Sequence, residues 1–185
     1  MTEAAADKLL MDESAVRHNL ERMAAEIVQR HPDIATLALI GIRRRGVDLA
    51  ELLAAEIERT TSAAPALGTL DITLYRDDLM AIGPRPVVGE TRLPDGGIDG
   101  RVLVIVDDVA YTGRTARAAL DELADFGRPA RILLCVLIDR GERELPIQPD
   151  IVGMTVDVPP GRRVEVRVPE IDGSLEVEIT GAGQG

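Results

Sequence analysis

Leu103-Val-Ile-Val-Asp107-Asp108-Val-Ala-Tyr111-Thr112-Gly113-Arg114-Thr115 is the stretch that decides the fold. Arg101 to Val106 is the clearest strand in the chain, and it delivers two carboxylates, Asp107 and Asp108, to the edge of a sheet. A helix follows from about Gly113 to Asp125, and Phe126-Gly127 stops it. Backbone N–H groups at such a helix N-terminus attract a phosphate, and Gly113 lets the backbone come close. The hydroxyls of Thr112 and Thr115 and the guanidinium of Arg114 complete a cradle. The acids beside it repel a phosphate; they suit hydroxyl donors or a metal. A sugar phosphate offers both ends at once. A P-loop ATPase also has an apolar strand ending in acids, but it needs G-x-x-x-x-G-K-[ST], which this chain lacks. A receiver domain carries an acidic pair without needing Thr-Gly-Arg-Thr after it. A strand, a polar turn and a capped helix with no ligand explain each part singly but not their conjunction.

Working outward, residues 1–11 read as a loose arm and 12–180 as a single domain. Helical spacing runs from Ser14 to about Arg30, where His31-Pro32 ends it. Ile34 to Ile40 reads as a buried strand, Gly41 to Gly46 as a short basic loop, and Val47 to Arg59 as a second helix. Leu67 to Tyr75 alternates enough for a strand. Residues 76–100 hold Pro and Gly clusters and little periodicity, long for a plain connection and so a functional, mobile loop. Ala130 to Ile138 is another buried strand. The loop 139–149 and two short strands, Val164–Val168 and Leu175–Ile179, follow, with a base-side and C-terminal region spanning 139–180. Strands alternating with helices predict an α/β fold with a mostly parallel central sheet. Ligands in such sheets sit beyond the carboxyl ends of the strands, where loops 41–46, 107–115 and 139–149 lie.

Composition narrows the function. Of 185 residues, 32 are acidic and 21 basic, a net charge of -11, so bulk attraction to nucleic acid or anionic membrane is not expected. Lys8 is the one lysine, so any basic site is built from guanidinium groups, which grip phosphate bidentately. Aromatic residues make up 2%, too few for stacking platforms along a single strand of nucleic acid. Cys135 is the only cysteine, which excludes an intrachain disulfide and a zinc cluster. The first thirty residues are acidic and lack an apolar stretch, unlike a signal peptide or a membrane span, and the expected compartment is the cytoplasm.

The central string resembles the 5-phosphoribosyl-1-diphosphate (PRPP) binding fingerprint of type I phosphoribosyltransferases. More closely, the chain is similar to the PyrR family, the pyrimidine operon regulators that are also uracil phosphoribosyltransferases. Gly41-Ile-Arg-Arg-Arg-Gly46 resembles that family's pyrophosphate loop, usually written G-I-K-T-R-G. Leu70 to Leu79, Gly127 to Ala130 and Asp139 to Ile147 match in order and spacing, over about residues 12–179. The resemblance implies a type I phosphoribosyltransferase fold with a small hood and a mobile loop. It implies the reaction of uracil with PRPP to give UMP and pyrophosphate. Asp107 and Asp108 would hold the ribose hydroxyls, and touch Mg²⁺ only through PRPP and water. Tyr111, Thr112, Gly113, Arg114 and Thr115 would cradle the 5-phosphate. Arg43, Arg44 and Arg45 would face the pyrophosphate, and Arg76 would cover the leaving group. Backbone groups near Ile138, Asp139 and Arg140 would read the base. A homo-oligomer, a dimer or larger, is also implied.

Departures from the family pattern carry information. Arg44 stands where the family has Thr, adding charge and bulk to the pyrophosphate loop. Tyr111 stands where purine-salvage relatives carry an acid, which favours a pyrimidine. Family members are expected to contact pyr leader mRNA through surface residues, of which Arg17, Arg22, Arg140 and Arg143 remain. Glu21, Ala25, Glu142 and Gln148 replace Thr, His, His and Arg there, so weak RNA binding is expected. His18 reads as a solvated helix residue, His31 as a helix end, Cys135 as a core thiol, Asp77-Asp78 as a solvated acid pair and Arg162-Arg163 as a turn.

Overall fold

The computed structural model describes residues 7–72 and 90–181. Strand β1 (Lys8–Met11) leads into helix α1 (Glu13–Arg30), strand β2 (Leu37–Ile42), helix α2 (Arg45–Thr61) and strand β3 (Ala66–Leu70). Strand β4 (Val102–Ala110), helix α3 (Arg114–Phe126), and strands β5 (Arg131–Asp139) and β6 (Ile151–Thr155) follow. The chain ends in β7 (Arg162–Arg167), the single turn α4 (Pro169–Asp172) and β8 (Glu176–Gly181). Five strands form one parallel sheet in the order β3-β2-β4-β5-β6; β1, β8 and β7 form a separate antiparallel hood.

Local chemistry sets the elements. The Asp12 carboxylate accepts the Ala15 N–H at 2.8 Å and starts α1, which buries Val16, Leu20, Met23, Ala24 and Ile27 along one stripe. Strand β2 is buried at every position because helices cover both faces of a parallel sheet. Side chains of β4 alternate between two cores. Val104 and Val106 join the cluster beneath α1 and α2; Leu103 and Ile105 join the cluster beneath α3.

The strand order reverses direction between β2 and β4, because β3 lies to one side of β2 and β4, β5 and β6 to the other. A crevice opens beyond the carboxyl ends of strands at such a switch point. The loops after β2 and β4 meet there, and Gly46 makes the approach close. A Cβ at Gly46 would stand 2.5 Å from the Val106 carbonyl oxygen, so only glycine allows α2 to start so near β4.

Several expectations need correction. Residues 8–11 are not a loose arm: they pair with β8, and Met11 is buried. Residues 34–36 form a short 3₁₀ turn, and the strand begins at Leu37 and runs past Ile40 to Ile42. Asp107 and Asp108 do not follow β4 but lie within it, because pairing with β5 continues to Ala110. Arg162-Arg163 is the start of β7 rather than a turn; pairing with Thr180 and Gly181 extends it. Strand β3 ends at Leu70. The later part of the long 76–100 loop is fixed to it, since Thr69 and Arg92 exchange backbone bonds at 2.7 and 2.9 Å.

Candidate active site

The sheet alternation that separates Leu103 and Ile105 from Val104 and Val106 continues into the two acids. Asp107 lies on the α3 side and lines a cavity of about 490 Å³. Asp108 lies on the α2 side, where its charge helps hold Arg45 protonated. Each carboxylate accepts the backbone N–H of the next residue, Asp108 at 2.9 Å and Val109 at 2.8 Å, which fixes their angles.

Beyond β4 the chain makes one turn before α3. Gly113 adopts φ 92°, a left-handed conformation that favours glycine, and starts the helix without a side-chain cap. The first amide of α3, that of Arg114, donates to the Thr112 hydroxyl at 3.3 Å. Tyr111 to Thr115 all line the same cavity as Asp107, so acid and cradle share one space. Leu134, Val136 and Ile147 supply an apolar wall.

Three successive carbonyls of this turn are held from behind by loop 139–147. Ala110 O accepts the Arg140 N–H at 3.0 Å, and Thr112 O accepts those of Glu144 and Leu145 at 2.9 and 3.1 Å. Between them, Tyr111 O accepts Arg143 Nη1 at 2.6 Å. In a planar trans peptide the N–H points opposite the C=O, so the amides of Tyr111, Thr112 and Gly113 turn away from that loop. Arg114 Nε reaches Glu144 at 2.8 Å across the same seam.

Tyr111 is exposed, with Arg140 Cζ 4.0 Å from its ring centre. Its hydroxyl hydrogen-bonds Glu142, whose carboxylate pushes the phenol above its ordinary pKa. Glu142 also lies 3.6 Å from Arg140. The base-side residues are largely committed: Ile138 is buried, Asp139 O accepts from Val156 at 2.9 Å, and the Arg140 amide is spent on Ala110.

The basic loop after β2 divides in two. Arg43 and Arg44 are exposed, and no described side chain pairs with either; the peptide between them is cis. Arg45 instead makes a bidentate bond to Asp172 of α4, Nε at 3.1 Å and Nη2 at 3.0 Å, tying the loop to the hood. That bond holds the Asp172 carboxyl below its usual range and the Arg45 guanidinium above its own. Arg76 and Asp77-Asp78 lie outside the described residues.

Of the residues assigned to RNA, Arg17 and Arg22 are exposed on α1, Arg17 pairing with Glu13 and Arg22 bonding the carbonyls of Val152 and Gly153. Arg140 and Arg143 are nearly covered, at 12% and 11% side-chain exposure, and Arg143 lines the cavity rather than the surface. The cavity roles of Arg143, Val136 and Ile147 escaped sequence reasoning. For Val136 the alternation along β5 was the available signal; for Arg143 and Ile147, in an irregular loop, there was none.

A parallel sheet whose switch point brings a carboxylate and a glycine turn at a helix start to one cavity is the arrangement of a phosphoribosyltransferase. The profile of the phosphoribosyl transferase domain matches residues 10–164. Hypoxanthine phosphoribosyltransferases of Trypanosoma cruzi and Staphylococcus aureus share the fold. Each has a TM-score of 0.69 over 94% of this chain, covers 96% and 92% of its own length, and is 18% and 17% identical. Proteins named bifunctional protein PyrR from Roseiflexus sp. strain RS-1 and from Thermus aquaticus are much nearer. Both are 51% identical over 170 residues, 92% of this chain and 92% and 93% of theirs. The chain belongs to the PyrR family. Among the described residues no helix is long and apolar enough to cross a membrane.

Proposed function

We propose that the chain transfers the ribosyl phosphate of PRPP to uracil, giving UMP and pyrophosphate. The observation that carries this is the shared cavity: Asp107 and the whole Tyr111–Thr115 turn line one space of about 490 Å³, a size suited to a small ligand. The ribosyl centre becomes cationic as pyrophosphate departs, so positioning and electrostatics do most of the catalysis. Asp107 and Asp108 flank the ribose and favour its developing charge. The turn Tyr111–Thr115 takes the 5-phosphate, and Arg43 and Arg44 meet the pyrophosphate.

Among the described residues no group of three His, Cys, Asp or Glu side chains could hold a metal on its own. The two carboxylates would touch a Mg²⁺ only through PRPP and water, which would supply its ligands, as Mg²⁺ readily keeps water. When bound, it would neutralise charge on the leaving pyrophosphate.

The test is label transfer from uracil, cytosine, hypoxanthine and guanine to PRPP, side by side with Mg²⁺. Uracil is expected to be turned over far faster than the rest. Preferred turnover of a purine would overturn the base assignment.

A second reading, binding of pyr leader RNA as an attenuation regulator, is supported by family membership. Charge and geometry favour weak binding. Glu21 and Glu142 add repulsion, and Arg140 and Arg143 are engaged within the protein. A gel-shift titration with the leader RNA at physiological salt, with and without UMP, is expected to show weak binding. Nanomolar, UMP-stimulated binding would put the regulator reading first.

A further inference from the structure

Arg143 has no place in the chemistry outlined so far, yet it is among the most thoroughly bonded side chains of the molecule. Its guanidinium donates to four acceptors. These are Asp139 Oδ1 at 2.7 Å, Tyr111 O at 2.6 Å, Gly141 O at 3.1 Å and Ile147 O at 3.0 Å. The first three lie at the end of β5, in the turn after β4 and at the left-handed Gly141; the fourth ends the loop. Both partners of its ion pair are nearly covered, at 11% and 16% exposure, so this is no loose surface pair.

We propose that Arg143 is a positioning residue for the transfer reaction, holding the phosphate cradle and the base-side loop as one rigid unit. The bond to Tyr111 O is the one side-chain bond in the row of carbonyls whose other members are held by backbone amides. Without it the peptide between Tyr111 and Thr112 can rotate, and the amide that faces a phosphate loses its direction. The same guanidinium holds Ile147, whose side chain walls the cavity. One residue thus sets the distance between the phosphate and base ends of a single ligand. Arginine is required because its planar fork reaches several acceptors at fixed angles, whereas a lysine ammonium reaches fewer.

The inference rests on the transferase reading, so its test has an arm that does not. Amide hydrogen exchange on the ligand-free protein is compared for wild type, Arg143→Ala, Arg143→Lys and Asp139→Asn. Exchange across residues 111–115 is expected to speed about tenfold in both Arg143 variants, the scale of one strong hydrogen bond, with α1 unchanged. Asp139→Asn, which keeps the carbonyl bonds, is expected to move the same amides less. In kinetics, the KM values for PRPP and for uracil are expected to rise together, more than kcat falls, with Lys recovering part of the loss. Unchanged exchange at 111–115 in both Arg143 variants would overturn the proposal. So would kinetic constants equal to wild type. If wild type fails to turn over uracil while exchange still speeds, the reaction assigned above is wrong and the strut stands.

Discussion

The loop after β4 and the loop after β2 lie side by side at the carboxyl edge of the sheet, and they are built in opposite ways. Behind the β4 turn, the carbonyls of residues 110, 111 and 112 are all hydrogen-bonded, and Gly113 locks the start of α3. In the β2 loop, Arg45 is tied to Asp172, while the exposed side chains of Arg43 and Arg44 pair with no described side chain. The difference follows the chemistry of the proposed ligands. The 5-phosphate is common to PRPP and UMP, so a preformed cradle serves both. Pyrophosphate arrives as part of PRPP and leaves as a product in its own right, so exposed guanidinium groups meet it without enclosing it.

The largest effect is expected at the carboxylates between the two loops. Asp107→Asn and Asp108→Asn should each fold normally and lose about 30- to 1000-fold in kcat, the roughly 2–4 kcal/mol of one preorganised charged group. Steady-state rates check this. A wild-type rate for one of them would place the ribose on the face of β4 that carries the other.

Next come the cradle hydroxyls. Thr112→Val and Thr115→Val would remove the proposed hydrogen bonds to the charged 5-phosphate, each worth about 1.5–3 kcal/mol, so a loss of about ten- to a hundredfold is expected. The KM for PRPP and the Kd for UMP should move together. Weaker PRPP binding at unchanged UMP affinity would mean that the turn does not hold the 5-phosphate.

A smaller effect, roughly tenfold for exposed charges meeting a polyanion, is expected for Arg43→Ala or Arg44→Ala on the KM for PRPP. It should weaken with added salt. The smallest concerns the tether. Because the Arg45 bond lowers the folded-state pKa of Asp172, the tether's stabilisation is fully present above the unfolded carboxylate pKa. It is lost as pH falls through the folded value, which lies below the unfolded one. Unfolding free energies of wild type and Asp172→Asn from urea titration should differ by about 0.5–1 kcal/mol at pH 7, given partial exposure, and the difference should shrink as pH falls through the folded-state value. A constant difference would show that Asp172 acts other than through its charge.

The β4 turn was legible in the sequence because its needs are local. An apolar run, two acids, a glycine and hydroxyls at a helix start each have a short-range cause. The hood was only partly legible. Lys8–Met11 looks like a loose arm because its partner, β8, lies at the far end of the chain, and no local pattern announces that pairing. The role of Arg45 was hidden for the same reason: Asp172, its partner, belongs to a single turn just before β8. Asp107 and Asp108 could be assigned to one site, but their placement on opposite faces depends on how far β4 keeps pairing with β5, which length and hydropathy do not set.

UMP binding by calorimetry, compared between Thr112→Val/Thr115→Val and Arg43→Ala/Arg44→Ala, tests the division of labour most directly. A preformed cradle beside a loop reserved for pyrophosphate predicts that UMP affinity drops in the threonine variant and stays at the wild-type value in the arginine variant. Equal losses in both, or a loss confined to the arginine variant, would contradict it.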